Sequence, residues 1–79
     1  MRIDKYLKAS RIIKRRTVAK EACEQGKVSI NGKTAKPGDE VKVGDVIVAS
    51  FGNGEMKVEV LDLKESAGKD QADSLYKVI

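Results

Sequence analysis

The sequence has no histidine and no tryptophan, one cysteine, one proline, and three aromatic residues: Tyr6, Phe51 and Tyr76. Without histidine there is no Ser-His or Cys-His pair and no zinc site of the usual His/Cys kind. A single cysteine, Cys23, rules out an internal disulfide, and its place among Val18, Ala19 and Ala22 suits a buried thiol. With so few rings, aliphatic packing must hold the core, and platforms for base stacking are scarce. The longest apolar run covers residues 46–49, far short of the ~20 residues of a membrane span. No signal-peptide hydrophobic segment follows the N-terminus, so a cytoplasmic protein without membrane contact is expected. Phosphate-loop and dinucleotide fingerprints are missing too. Asp39, Glu40 and Asp45 lie close in sequence but flank turns, where acids commonly serve turn geometry. A non-catalytic protein with no metal and no cofactor is expected.

What is present is charge, unevenly spread. In 79 residues, 41% are apolar and 35% charged, the balance of one small globular domain. Residues 1–36 hold eleven Lys/Arg against three Asp/Glu, a net of +8, whereas residues 37–79 hold five against nine, a net of −4. Such polarity favours a polyanion on one face and repels it from the other.

The spacing of Ile3, Tyr6, Leu7 and Ser10 predicts a first helix over residues 2–10, with Asp4 and Lys8 able to pair and with Arg2, Lys5 and Lys8 in solvent. Ile12 and Ile13 supply an apolar connector. A second helix is expected from Arg15 or Arg16 to Gln25, with Val18, Ala19, Ala22 and Cys23 inward and Lys20, Glu21 and Glu24 outward. On that phase a Val18→Asp change would unfold the domain. Gly26 is the expected helix stop. Lys14, Arg15 and Arg16 oppose the dipole at the start of this helix, an arrangement that a bound anion would relieve.

Val28-Ser29-Ile30 and Lys33-Thr34-Ala35 read as strands joined by Asn31-Gly32, the strongest short hairpin signal. Turns at residues 36–39 and 41–45 lead to a strand over residues 46–51. Gly52-Asn53-Gly54 then reverses the chain into residues 56–61, where Met56, Val58 and Val60 alternate with charged residues. Beyond Asp62, Gly68 interrupts the pattern, with a helical turn expected at residues 69–74 and residues 75–79 either an edge strand or loose. No internal repeat is apparent. The expected fold class is α+β, with two N-terminal helices on a small, mostly antiparallel twisted sheet. Residues 1–62 form the domain and residues 63–79 a C-terminal extension.

The basic set Arg2, Lys5, Lys8, Arg11, Lys14, Arg15, Arg16, Lys20, Lys27 and Lys33 carries the functional reading, nucleic-acid binding. Its bland counterpart is a solvated surface that keeps a small domain soluble. RNA is preferred over DNA because a helix end can engage phosphates and splayed loops of folded RNA, whereas duplex DNA readers commit a longer helix to the major groove. A basic protein-interaction module is the alternative from another class. Tyr6 suits the core better than a stacking role.

Five segments resemble the small RNA-binding domain named after ribosomal protein S-four. They are Arg2-Ile3-Asp4-Lys5-Tyr6-Leu7, Arg16-Thr17-Val18-Ala19-Lys20, Gly26-Lys27-Val28-Ser29-Ile30-Asn31-Gly32, Lys36-Pro37, and Val43-Gly44-Asp45-Val46-Ile47. Arg15 stands where that family often has Ser or Thr, exchanging a cap for charge. The resemblance implies a helix-loop-helix on a small sheet (the alpha-L RNA-binding motif). It nominates Arg2, Lys5, Arg16, Lys20, Lys27, Asn31 and Lys33 for RNA binding, and Arg15 joins them from the cation cluster. Among free-standing copies the chain is similar to the RqcP group of bacterial ribosome quality control factors and the related ribosome-associated heat-shock protein. That similarity implies binding to ribosomal RNA of an obstructed large subunit and to P-site peptidyl-tRNA, beside an RqcH-like factor that adds C-terminal alanine without a template. It also leaves room for a general ribosomal RNA-binding or subunit-recycling factor. A monomer is expected.

Overall fold

A computed structural model describes residues 1–63 and 72–79. Helix α1 spans Ile3–Ala9 and helix α2 spans Arg16–Glu24. Strands β1 (Val28–Ile30), β2 (Lys33–Thr34), β3 (Val46–Phe51), β4 (Gly54–Val60) and β5 (Tyr76–Val78) form one sheet in the order β2-β1-β3-β4-β5. Every neighbouring pair is antiparallel, which is the expected α+β architecture. The expected helical turn at residues 69–74 and the break at Gly68 fall largely outside the described residues. What is described of that segment is a 3₁₀ turn, Ala72–Leu75, leading into β5.

Local chemistry sets each boundary. At the start of α1 the amides of Ile3, Asp4 and Lys5, which lack partners within the helix, are all accounted for. Ile3 N–H donates to Asp39 O at 2.8 Å and Asp4 N–H to Pro37 O at 3.4 Å. Lys5 N–H donates to the Asp4 carboxylate at 2.8 Å, and the bond from Tyr6 N–H to Arg2 O at 2.9 Å is the first of the helix itself. Helix α2 closes at Gly26, which takes φ +75° while Gly26 N–H donates to Cys23 O and Lys27 N–H to Ala22 O. This is a Schellman stop of the kind glycine favours. Asn31 and Gly32 take φ of +51° and +85° between the paired residues Ile30 and Lys33, as a type I′ hairpin requires.

Two successive turns repeat one another. In Lys36-Pro37-Gly38-Asp39 and again in Lys42-Val43-Gly44-Asp45, the Asp carboxylate accepts the Lys amide at 2.9 Å and the Asp amide donates back to the Lys carbonyl at 3.0 Å. The four-residue K-x-G-D pattern was open in the sequence, but it is too short to register as a repeat. These acids serve the turns, and the first turn also caps α1.

The core joins Ile3, Tyr6 and Leu7 of α1, Ala19 and Cys23 of α2, and the inward row Val28, Ile47, Ala49, Val58 and Val60 of the sheet. Tyr6 is wholly buried, and its hydroxyl donates to Leu75 O at 2.7 Å, tying the first helix to the far end of the chain. Burial raises the phenol's pKa well above its ordinary range, with Tyr76 adding to the effect. Cys23 is buried as expected. Burial, then the carboxylates of Asp4, Asp39 and Glu24, push its thiol up to about 11.

One expected face is corrected. Val18 is 46% exposed and Ala22 is partly buried, so the seam of α2 runs through Ala19 and Cys23. Each helical step turns about 100°, so Val18 and Ala22, one position earlier, swing off the seam where α2 rests on α1 and β1. Lys5, expected in solvent, is half-buried. A Val18→Asp variant is therefore expected to keep its cooperative melting transition, losing no more than about 1 kcal/mol. Ala19→Asp places an unpaired charge in the core and is expected to abolish the transition in a thermal melt. The Cys23 thiol supplies a second check. Its folded pKa lies above the ordinary 9.0, so its contribution to stability is intact below that value and lost as pH rises through about 11. Iodoacetamide labelling at a pH near 8 should be at least ~10-fold slower on the native chain than in denaturant.

Candidate nucleic-acid interface

The basic half converges at the junction of the two helices. Arg2 is the N-cap of α1 and Arg16 the first residue of α2, and both reach the carboxylate of Asp4. Arg2 Nε lies 3.3 Å from Asp4 Oδ1, Arg2 Nη2 donates to Oδ2 at 3.3 Å, and Arg16 Nε lies 3.5 Å from Oδ2. The Asp4 side chain is 3% exposed, whereas those of Arg2 and Arg16 are about half exposed, at 50% and 49%. A sunken carboxylate therefore anchors two guanidinium groups that keep donors turned toward solvent. Asp4, expected to reach Lys8, is engaged by these arginines instead. Gly38 borders the Arg2 guanidinium, since a Cβ there would sit 4.0 Å from its Nε and Nη2. The turn that caps α1 thus also flanks Arg2.

Arg2, Asp4, Arg16, Thr17 and Lys20 line a shallow cleft of about 330 Å³. No side chain caps the first turn of α2 and no acid lies in it, so the helix dipole adds to the positive potential there. The cleft can hold a phosphodiester by paired guanidinium donors with Lys20 as a further cation. Among the described residues no cluster of His, Cys, Asp or Glu could hold a metal ion.

The nominated residues divide by place. Arg2, Arg16 and Lys20 come together. Arg15 is the N-cap of α2, which fixes the helix start at Arg16, and Lys5 sits half-buried on α1 beside Asp4. Lys33 lines a separate depression with Ile30, Thr34, Asp39 and Glu40. There Glu40 also bonds the Met1 ammonium at 2.9 Å, and that bond lowers its pKa. Lys27 borders an apolar groove reached by Val18 and Phe51. The Asn31 amide is committed to the fold: Nδ2 donates to Asp45 at 3.1 Å and Oδ1 accepts Val46 N–H at 2.9 Å. Sequence reasoning missed Asp4 and Thr17 as parts of the cleft. The signal for Asp4 was available, because it is the lone acid among eight cations in residues 1–20 and falls on the same helical stripe as Leu7.

These features match a known family. The S4 domain matches residues 1–47, and the chain belongs to that family. Its relatives include the RQC P-site tRNA stabilizing factor of Halalkalibacterium halodurans, 53% identical over 78 residues that cover 99% of this chain and 89% of that one. The factor of the same name from Listeria monocytogenes is 53% identical over 79 residues, covering 100% and 86%. Among solved structures, the trimeric Heat Shock Protein 15 of Vibrio cholerae superposes with a TM-score of 0.93 at 34% identity, covering 100% of this chain and 81% of that one.

The anchor can be tested by itself. Asp4→Asn keeps an oxygen for the Lys5 amide but removes the charge that aligns the arginines. It is expected to cost about 1–2 kcal/mol of stability, the arginines being half exposed. It should also lower preference for structured over homopolymer RNA by about tenfold while leaving homopolymer affinity equal or higher. Competition binding with both RNAs at fixed salt reads the ratio, and an unchanged ratio would show that Arg2 and Arg16 need no anchor.

Proposed function

We propose that the chain is a non-catalytic RNA-binding factor of bacterial ribosome-associated quality control. It holds P-site peptidyl-tRNA on an obstructed large subunit while an RqcH-like partner extends the nascent chain with C-terminal alanine. The observation that carries this reading is the cleft, in which Arg2 and Arg16 are fixed on the buried Asp4 beside Lys20. Relatives called RQC P-site tRNA stabilizing factor, at about half identity over nearly the whole chain, supply the setting.

In this reading Arg2 and Arg16 meet phosphate oxygens with the guanidinium edges that Asp4 leaves open, and they clamp between ribosomal RNA and tRNA. Arg15 and Lys20 add charge along α2, while Lys5, Lys27 and Lys33 extend the field over the same half of the domain. Asn31 contributes by holding the hairpin tip against the Asp45-Val46 turn. RNA contact belongs to residues 1–62, and the extension supports the core. The factor works as a monomer in the cytoplasm, and among the described residues no helix is long and apolar enough to cross a membrane.

Co-sedimentation tests the setting: the protein should travel with free large subunits that carry tRNA and leave them when the tRNA is released. Presence on empty and tRNA-bearing subunits alike would reduce the role to general ribosomal RNA binding or subunit recycling. Arg16→Ala should melt within about 1 kcal/mol of the parent. It should weaken RNA binding and lower the salt slope by ~1, since one phosphate contact is lost. Equal binding across a salt titration would remove Arg16 from the interface.

A further inference from the structure

Helix α2 has a second working flank. On one side of its Ala19–Cys23 seam lie Arg16 and Lys20; on the other lie Val18 and Ala22. Val18 and Phe51 are each 46% exposed and line one groove of about 250 Å³ with Ile12, Ile13, Ala22 and Lys27 on its walls. A groove with this apolar lining can receive an apolar side chain from another molecule.

The groove is framed by positive charge. None of its lining residues is acidic, and Lys27 stands at its edge. Arg11 and Lys14 bracket Ile12 and Ile13 in sequence, and Arg15 lies one turn before Val18 on the same flank of α2. Arg11, Lys14 and Arg15 are exposed and make no side-chain hydrogen bond or ion pair among the described residues. Glu21 lines the adjoining depression, and Glu55 stands across the β3–β4 ladder from Ser50. Arg11 also adopts φ +61°, a conformation that costs a non-glycine residue energy, at the bend that buries Ile13 and leaves Ile12 half-buried at the groove.

We propose that this groove docks a partner protein through an aliphatic side chain flanked by carboxylates. The apolar part selects protein over RNA. A nucleobase here would lose water from its polar edge, and apart from Ser50 and Lys27 the lining side chains offer it no hydrogen-bonding group. An aliphatic anchor has no such groups to strand, and neighbouring carboxylates would meet Lys27, Arg11, Lys14 and Arg15. The groove and the Arg2–Arg16 cleft lie on opposite flanks of α2. A docked partner therefore takes Arg15 and Lys27 out of the RNA field but leaves Arg2, Arg16 and Lys20 open, and the inference stands whether or not the cleft binds RNA.

The test is a random peptide library displayed on phage and panned against the full chain. Enriched peptides should pair an aliphatic residue with acidic neighbours. Their binding should fall at least tenfold on a Val18→Ser, Phe51→Ser double variant and stay unchanged on Arg16→Ala. Should the double variant melt early, Lys27→Glu at the exposed rim provides the second arm and should reject the acidic peptides. No enrichment, or binding that survives these changes, overturns the proposal. A fluorescent oligouridylate gives the competing outcome: if the double variant weakens it as much as Arg16→Ala does, the groove extends the RNA surface and the protein-docking proposal fails. It fails equally if sedimentation shows self-association that the double variant abolishes.

Discussion

The buried carboxylate of Asp4 is the constraint on which the basic half depends. It lies in the first turn of α1, where it accepts the Lys5 amide and favours the helix dipole, and it reaches across to the first residue of α2. One side chain therefore finishes a helix end, joins two helices and orients two arginines. Taking a charge out of water is costly unless it is well paired, and Asp4 meets that demand with Arg2, Arg16 and a backbone amide. In return, two long and otherwise mobile cations are held at a fixed separation. The capping turn at residues 36–39 belongs to the same unit, because it supplies carbonyls to α1 and places Gly38 beside Arg2.

Helix α2 shows how few residues can serve several surfaces. Its nine residues carry a buried seam, a cationic flank and an apolar flank, with Glu21 and Glu24 exposed between them. Small residues at Ala19 and Cys23 allow this, since they let the helix sit close to its neighbours while both flanks stay at the surface. A larger side chain at Ala19 would lift the helix and move Arg16 away from Asp4.

Much of this could be read from the sequence, because the signals were local. Asn31-Gly32 fixed a hairpin, Gly26 a helix stop, and Ile3, Tyr6 and Leu7 the buried stripe of α1, since each rests on backbone sterics or helical period. Of the nominated cations, Arg2, Arg16 and Lys20 share a cleft because their helices cross there, while Lys27 and Lys33 face other depressions. What stayed hidden depended on distant partners. Val18 matched an apolar stripe, but whether anything covers it is decided by how α2 rests on α1 and β1. Asp4 had a plausible mate in Lys8, and its actual partners come from the N-cap and from another helix. Asn31 was nominated for RNA binding, and nothing local in the sequence showed that Asp45 and Val46 engage its side chain.

The hydrogen bond from Tyr6 to Leu75 joins residues 69 positions apart, and among the described residues β5 pairs with β4 alone, at the end of the strand order. The α1 core is therefore complete only when Leu75 and β5 are in place. Contacts this distant in sequence cost more loop-closure entropy than the local contacts within each helix and hairpin. A copy whose own synthesis stops before residue 72 lacks the carbonyl for Tyr6 and the strand beside β4. Both ends of the chain thus share one core, and a loss at residues 75–78 is felt at the helix that carries Asp4.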